Sequence, residues 1–223
     1  MRSLLFYALM SLQALTFDAA GTLIRVAEPV GRTYAAFAAR HGLQTAPDEV
    51  MRAFREIWKV LSPPLYPVKE PPLHDGRGWW RLLVGNVFCK VLEESPPESV
   101  LDALFADLYR HYARPDAWAV FEDVLPALDD LSRDHRLLVL SNFDRRLRGI
   151  LQEHDLSRFF EKIIISSEVG ASKPHPRMFH VAFEALGCKP EHCLHIGDDE
   201  KCDLEGARSC AKLRDGRFLR EKA

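Results

Sequence analysis

Apolar positions along the chain fall into two patterns. Between about residues 25 and 115 they recur at three- and four-residue spacing. Tyr34, Phe37 and Ala38 mark a helix over 30–41, and Val50, Phe54, Ile57 and Trp58 one over 48–61. Two more amphipathic helices are predicted over 79–92 and 98–112, and the proline-rich stretch 62–72 reads as an irregular loop. Outside this block, short continuous apolar runs alternate with helical patterns. The runs 12–17, 137–140, 163–165 and 193–196 are strand candidates, and 124–132, 145–154 and 177–186 are helical. Strands alternating with helices predict an α/β fold with a doubly wound parallel sheet. The all-helical block is read as an insert, giving a core of residues 10–24 and 116–223 and a helical domain of residues 25–115. No internal repeat or low-complexity tract interrupts the pattern.

Composition narrows the function classes. With 223 residues, 47% of them hydrophobic, the chain can bury a core without covalent staples. A formal net charge of -2 leaves no basic footprint for nucleic acid. No apolar run reaches the roughly 20 residues of a membrane span. Five cysteines, odd in number and without a CxxC spacing, argue against a disulfide framework or zinc site and for a reducing cytoplasm. Residues 4–15 are apolar and follow Arg2, faintly like a signal peptide. They run directly into a strand that carries chemistry, so the segment before Met10 is read as a loose extension.

In an open parallel sheet, ligands bind beyond the C-terminal ends of the strands. The polar residues expected there are Asp18 after the first strand, Ser141 and Asn142 after 137–140, and Asp198 and Asp199 after 193–196. Lys173 sits in the loop 170–176 that follows 163–165. Carboxylates converging from separate strands repel unless a cation lies between them, and oxygen ligands beside a phosphate suit magnesium. Lys173 can offset the remaining charge, and Ser141 can donate to a phosphate oxygen. Taken singly, each residue reads as a helix cap, a turn or a solvated loop. The weight lies in their joint occurrence at successive strand ends.

Four segments together resemble the haloacid dehalogenase superfamily. They are Phe17-Asp18-Ala19-Ala20-Gly21-Thr22-Leu23, then Leu140-Ser141-Asn142, then the loop 170–176 with Lys173, then Gly197-Asp198-Asp199 with Asp203, Gly206 and Ala207. Gly78-Trp79-Trp80-Arg81 and Ser141-Asn142-Phe143-Asp144 further resemble one of its subgroups, although the tryptophans read more simply as helical core. The resemblance implies a Rossmann-like core and a helical cap that closes over the site. It implies a magnesium-dependent hydrolase of a small phosphorylated substrate, acting through an aspartyl intermediate. Asp18 would be nucleophile and metal ligand, the Ala20 carbonyl and Asp198 further ligands, and Asp203, or Asp199, the residue that orients the metal shell. Ser141, Asn142 and Lys173 would bind the transferred group.

Ala20 departs from the family pattern. The family's phosphatases carry there a second aspartate that protonates the leaving alcohol and later activates water. Its absence should cost about 10²–10⁴-fold for poor leaving groups and less for an acyl phosphate. Glu28, Asp144 or a residue of the insert is a possible substitute. Three alternatives follow: a non-catalytic binding protein, a dehalogenase, and a phosphonatase-type hydrolase. The last needs a lysine from the insert, where Lys59, Lys69 and Lys90 lie, Lys59 being best spaced but reading as a solvated helix residue. The C-terminus also departs. Residues 210–217 are polar where the family continues into an apolar strand, which predicts a poorly covered sheet edge.

Overall fold

The computed structural model describes residues 12–64 and 76–210, and the backbone of 214–217. The extension before Met10, most of the proline-rich loop and the rest of the tail lie outside the described residues. The chain divides into two compact units, which it enters and leaves at Arg25–Val26 and Ala119–Val120.

The first unit is built on a five-stranded sheet. Its strands are β1 (Ala14–Phe17), β4 (Arg136–Ser141), β5 (Lys162–Ile165), β6 (Cys193–Gly197) and β7 (Arg214–Arg217). The order is β5-β4-β1-β6-β7, parallel throughout, with β1 at the centre. This is the doubly wound α/β arrangement that the alternation predicts. Phe17 lies level with Val139 on one side and Ile196 on the other, so the residues following all three strands emerge together. Strands covered on both faces are apolar along most of their length, which is why β4 reads as an unbroken run over 137–140 and β1 is interrupted only at Thr16.

Around the sheet lie α5 (Val124–Asp134), α6 (Arg146–Glu153), the short α7 (Ser166–Val169), α8 (Pro176–Leu186) and α9 (Gly206–Ser209). Helix α8 shows how local sequence sets an element. It opens with proline at its first position, has its Arg177 N–H capped by His175 Nδ1 at 3.1 Å, and stops at Gly187, whose φ is 58°. Its Met178, Phe179, Ala182 and Leu186 pack with Leu138, Leu140 and Cys193.

Strand β7 differs from the sequence expectation. The polar stretch 214–217 pairs in parallel with β6, although no apolar periodicity announces it. An edge strand needs one row of backbone partners and no continuous apolar run.

The second unit holds α1 (Val30–Arg40), α2 (Pro47–Val60), α3 (Arg77–Leu92) and α4 (Glu98–His111). Tyr34, Ala38, Val50, Leu83, Phe88, Leu104 and Leu108 form its core. Trp79 and Trp80 pack against that core, edge to face with ring centres 4.9 Å apart, and the Trp79 indole donates to the Ser62 carbonyl. They are half-buried residues at the margin of that core, in line with their helical spacing. Two strands of three residues each, β2 (Ile24–Val26) and β3 (Trp118–Val120), pair where the chain passes between the units; they are too short to read from a pattern. All five cysteines are free, and among the described residues no helix is long and apolar enough to cross a membrane.

Candidate active site

Asp18 extends β1 by one residue, its N–H donating to the Ile196 carbonyl at 2.9 Å. The chain then turns sharply. The Ala19 carbonyl accepts from the N–H groups of Thr22, Leu23 and Ile24, and the Gly21 N–H donates to the Ile24 carbonyl. Gly21 has φ of 101°, and a Cβ there would stand 2.6 Å from the Asp198 carboxylate. Glycine is therefore required for backbone conformation and for the approach of Asp198. None of the turn's backbone bonds uses the Ala20 carbonyl, and the Ala20 side chain is exposed.

Lys173 reaches Asp18 from the loop between α7 and α8. Asn142, just past β4, holds that loop at two points: its Nδ2 donates to the Lys173 carbonyl at 2.9 Å and its Oδ1 accepts from the Lys173 N–H at 2.7 Å. The Lys173 Nζ then donates to Asp18 Oδ1 at 2.8 Å and to Asp203 Oδ1 at 2.6 Å. Ser141 Oγ donates to the same Asp18 oxygen at 2.9 Å. No described side chain donates to Asp18 Oδ2.

Asp203 is delivered by a π-helical turn, Glu200–Glu205, opened by Asp199, whose Oδ1 accepts from the Cys202 N–H at 2.7 Å. Turns of this type widen the helix by one residue and are common at functional sites. The turn aims Asp203 back at the sheet, where Oδ2 accepts from the Asp199 N–H at 3.0 Å. Its Oδ1 also meets His195 Nε2 at 3.0 Å, and His195 Nδ1 meets Thr16 Oγ1 at 2.8 Å. Gly197 completes the fit, since a Cβ there would collide with the Asp203 carboxylate.

Charge and burial explain the electrostatics. Burial pushes the Asp18 carboxyl up; Lys173 opposes this, while Asp203 and Asp198 add to it, and the net direction is upward. Burial would lower Lys173, but the carboxylates of Asp18 and Asp203 outweigh it and hold the ammonium protonated. For Asp203, burial is outweighed by Lys173 and by the His195 hydrogen bond, so its carboxyl lies well below the usual carboxylate range. Burial pushes His195 down, toward the neutral imidazole. A neutral ring donates from Nε2 to Asp203 and accepts at Nδ1 from the Thr16 hydroxyl.

Oxygens of Asp18, Asp198 and Asp203 all lie within 4.8 Å of one another. Three carboxylates against one ammonium leave two formal negative charges in a largely buried space. Hard oxygen donors with that imbalance fit a divalent cation such as magnesium or calcium, and no softer ligand is in the group.

Asp18, Ser141, Lys173, Asp198 and Asp203 are thus brought together at the strand ends. Asn142 serves the Lys173 loop, and Asp199 caps its own turn. Asp144, considered above as a substitute acid, is buried and gripped by Arg146, whose Nε and Nη2 reach its two oxygens at 2.8 and 2.6 Å. Sequence reasoning missed His195 and Thr16. Both sit inside apolar strands, and a polar residue two positions before Gly197 was the one available signal.

A family model described as haloacid dehalogenase-like hydrolase matches residues 12–210. The chain is 32% identical over 204 residues to human haloacid dehalogenase-like hydrolase domain-containing protein 3, covering 90% of this chain and 79% of that protein. It is 30% identical over 204 residues to the Rhythmically expressed gene 2 protein of Drosophila melanogaster, covering 87% and 78%. Among solved structures, a HAD phosphatase from Thermococcus onnurineus superposes with a TM-score of 0.62 at 22% identity, covering 95% of this chain and 88% of that one. The L-2-haloacid dehalogenase of Xanthobacter autotrophicus does so with 0.65 at 21%, covering 94% and 79%. At these identities the structural likenesses establish a shared fold.

Proposed function

The chain belongs to the haloacid dehalogenase-like hydrolase family, and on that footing we propose a magnesium-dependent hydrolase that acts on small phosphorylated substrates through an aspartyl-phosphate on Asp18. The observation that carries this reading is the grip on Asp18. Lys173 and Ser141 both hold Oδ1, which orients Oδ2 as the attacking oxygen. Asp18, Asp198 and the Ala20 carbonyl would hold the cation. Asp203, with both oxygens already accepting from protein donors, would orient Lys173 and the shell. When bound, the ion neutralises charge on the transferring phosphoryl group. Lys173 and Ser141 would also donate toward that group, and the helical insert, residues 25–115, would be the cap. Free cysteines fit a reducing compartment, and we place the protein in the cytoplasm.

Ala20 defines the substrates. It offers no proton, and Asp144 is committed to Arg146. Phosphate esters of alcohols should therefore turn over slowly, and compounds whose leaving group departs as a stable anion should turn over best. Hydrolysis at carbon–halogen bonds fits less well, because it requires no cation and would leave two of the three carboxylate charges of Asp18, Asp198 and Asp203 unbalanced by Lys173. The test is turnover of a phosphorylated-metabolite panel with magnesium, for the wild type and Asp18→Asn. Loss of turnover in the variant is expected, and equal rates would refute the reading. Ala20 also favours a second reading, a binding protein without turnover, which rapid hydrolysis abolished by Asp18→Asn would rule out.

A further inference from the structure

Two half-reactions make up the proposed cycle, and the site equips them unequally. In the first, Asp18 Oδ2 attacks phosphorus, the new O–P bond forms, and the P–O bond to the leaving group breaks. If the leaving group is a carboxylate, as in an acyl phosphate, it departs with its electron pair and no proton moves. Lys173 and Ser141 are in place for that step. In the second, a water oxygen attacks phosphorus, the Asp18 carboxylate leaves, and inorganic phosphate is released. The water must lose a proton, and a base that takes it contributes about 10²–10⁴-fold.

The described side chains that converge on Asp18 from the strand ends, and the acids next to them in sequence, already hold hydrogen-bond partners. Asp203 accepts from Lys173 and His195 at Oδ1 and from the Asp199 N–H at Oδ2. His195, 1% exposed, has one ring nitrogen on Asp203 and the other on Thr16. Asp199 accepts from the Cys202 N–H, and Asp144 is held by Arg146. Asp198 belongs to the cation cluster, Lys173 is a hydrogen-bond donor to two carboxylates, and Ala20 ends in a methyl group.

We infer that the chain is a phosphoryl acceptor for small acyl phosphates, whose aspartyl-phosphate on Asp18 forms readily and outlives the transfer that makes it. The inference rests on the reading of Asp18 as nucleophile. It changes what the site delivers: a long-lived phosphorylated protein, with phosphate release as the slow step.

The experiment uses the full chain with acetyl phosphate and magnesium, followed by intact-protein mass spectrometry. The expected result is one added phosphoryl group on the wild type, mapped to the peptide carrying Asp18 and absent from Asp18→Asn. It should persist after the donor is removed by gel filtration. Ala20→Asp, at an exposed position, should shorten its lifetime by about 10²-fold or more. Two outcomes overturn the inference but leave the nucleophile reading standing. One is Asp18-dependent turnover of acetyl phosphate without an accumulating adduct. The other is an adduct whose lifetime Ala20→Asp does not change. Absence of both adduct and Asp18-dependent turnover overturns the nucleophile reading itself.

Discussion

Replacing Lys173 with methionine keeps the length of the side chain and removes its charge and its donors. The lysine is 1% exposed and bridges Asp18 and Asp203 with bonds of 2.8 and 2.6 Å. Two hydrogen bonds to charged groups are lost, each contributing about 1.5–3 kcal/mol. Breaking a buried ion pair by removing one partner costs about 3–5 kcal/mol, which agrees. Against a total stability of roughly 5–15 kcal/mol the loss is large. The assay is equilibrium urea unfolding of metal-free protein at pH 7, with the expected deficit of about 3–5 kcal/mol read from the shift in midpoint. The pH dependence has a definite sign. In the wild type, Asp203 is depressed by Lys173, so its contribution is present above the unfolded carboxylate value of about 3.9 and is lost only as pH falls through its folded value. Lys173 is raised, so its contribution is complete below about 10.4 and is lost only as pH rises beyond that. In the variant, the buried carboxyls have no cation and their folded values rise above the unfolded one. They take up protons as pH falls, so the deficit should shrink between pH 7 and pH 5. A variant within about 1 kcal/mol of wild type at pH 7, or a deficit that grows on acidification, would refute this account of the site.

Three further outcomes are expected. Gly21→Ala combines a positive φ with a Cβ 2.6 Å from the Asp198 carboxylate, so thermal melting should show a loss of about 1–3 kcal/mol and magnesium titration a weaker affinity. Arg146→Ala removes the guanidinium from buried Asp144 and should cost about 3–5 kcal/mol in urea unfolding; Arg146→Lys should restore only part, since the arginine uses two nitrogens on two oxygens. Magnesium at about 100 times its dissociation constant should stabilise the wild type by about 2.7 kcal/mol, seen as a melting temperature higher by roughly 5–10 °C, and Asp198→Asn should abolish most of that shift.

The residues that meet at the sheet's C-terminal edge were legible because parallel topology converts sequence order into spatial convergence. Asp18, Ser141 and Asp198 each follow an apolar run, and once those runs pair in register their side chains must meet. Lys173 was legible only jointly with them, since nothing local distinguishes it from a solvated loop lysine. The donors behind Asp203 were not legible. His195 and Thr16 lie within strands, where a polar residue on a buried face looks like any other interruption of an apolar run. Their roles depend on two strands standing side by side, a fact that neither strand's sequence contains. Strand β7 escaped for the opposite reason: its place depends on backbone pairing with β6, to which side-chain periodicity is blind.

The clamp of Asn142 on the Lys173 peptide has a consequence for how such a chain can diversify. The lysine's position is set by the Asn142 side chain, one residue past the end of β4, more than by the number of residues that lead to it from β5. Loop closure cost grows only slowly with length, by about 0.6 kcal/mol per doubling. Insertions at Gly170, between α7 and buried Ala171, should therefore be tolerated while the ammonium stays on Asp18. Ser141 and Lys173, far apart in the chain, are in effect inherited as one part, because both are anchored to the end of a single strand.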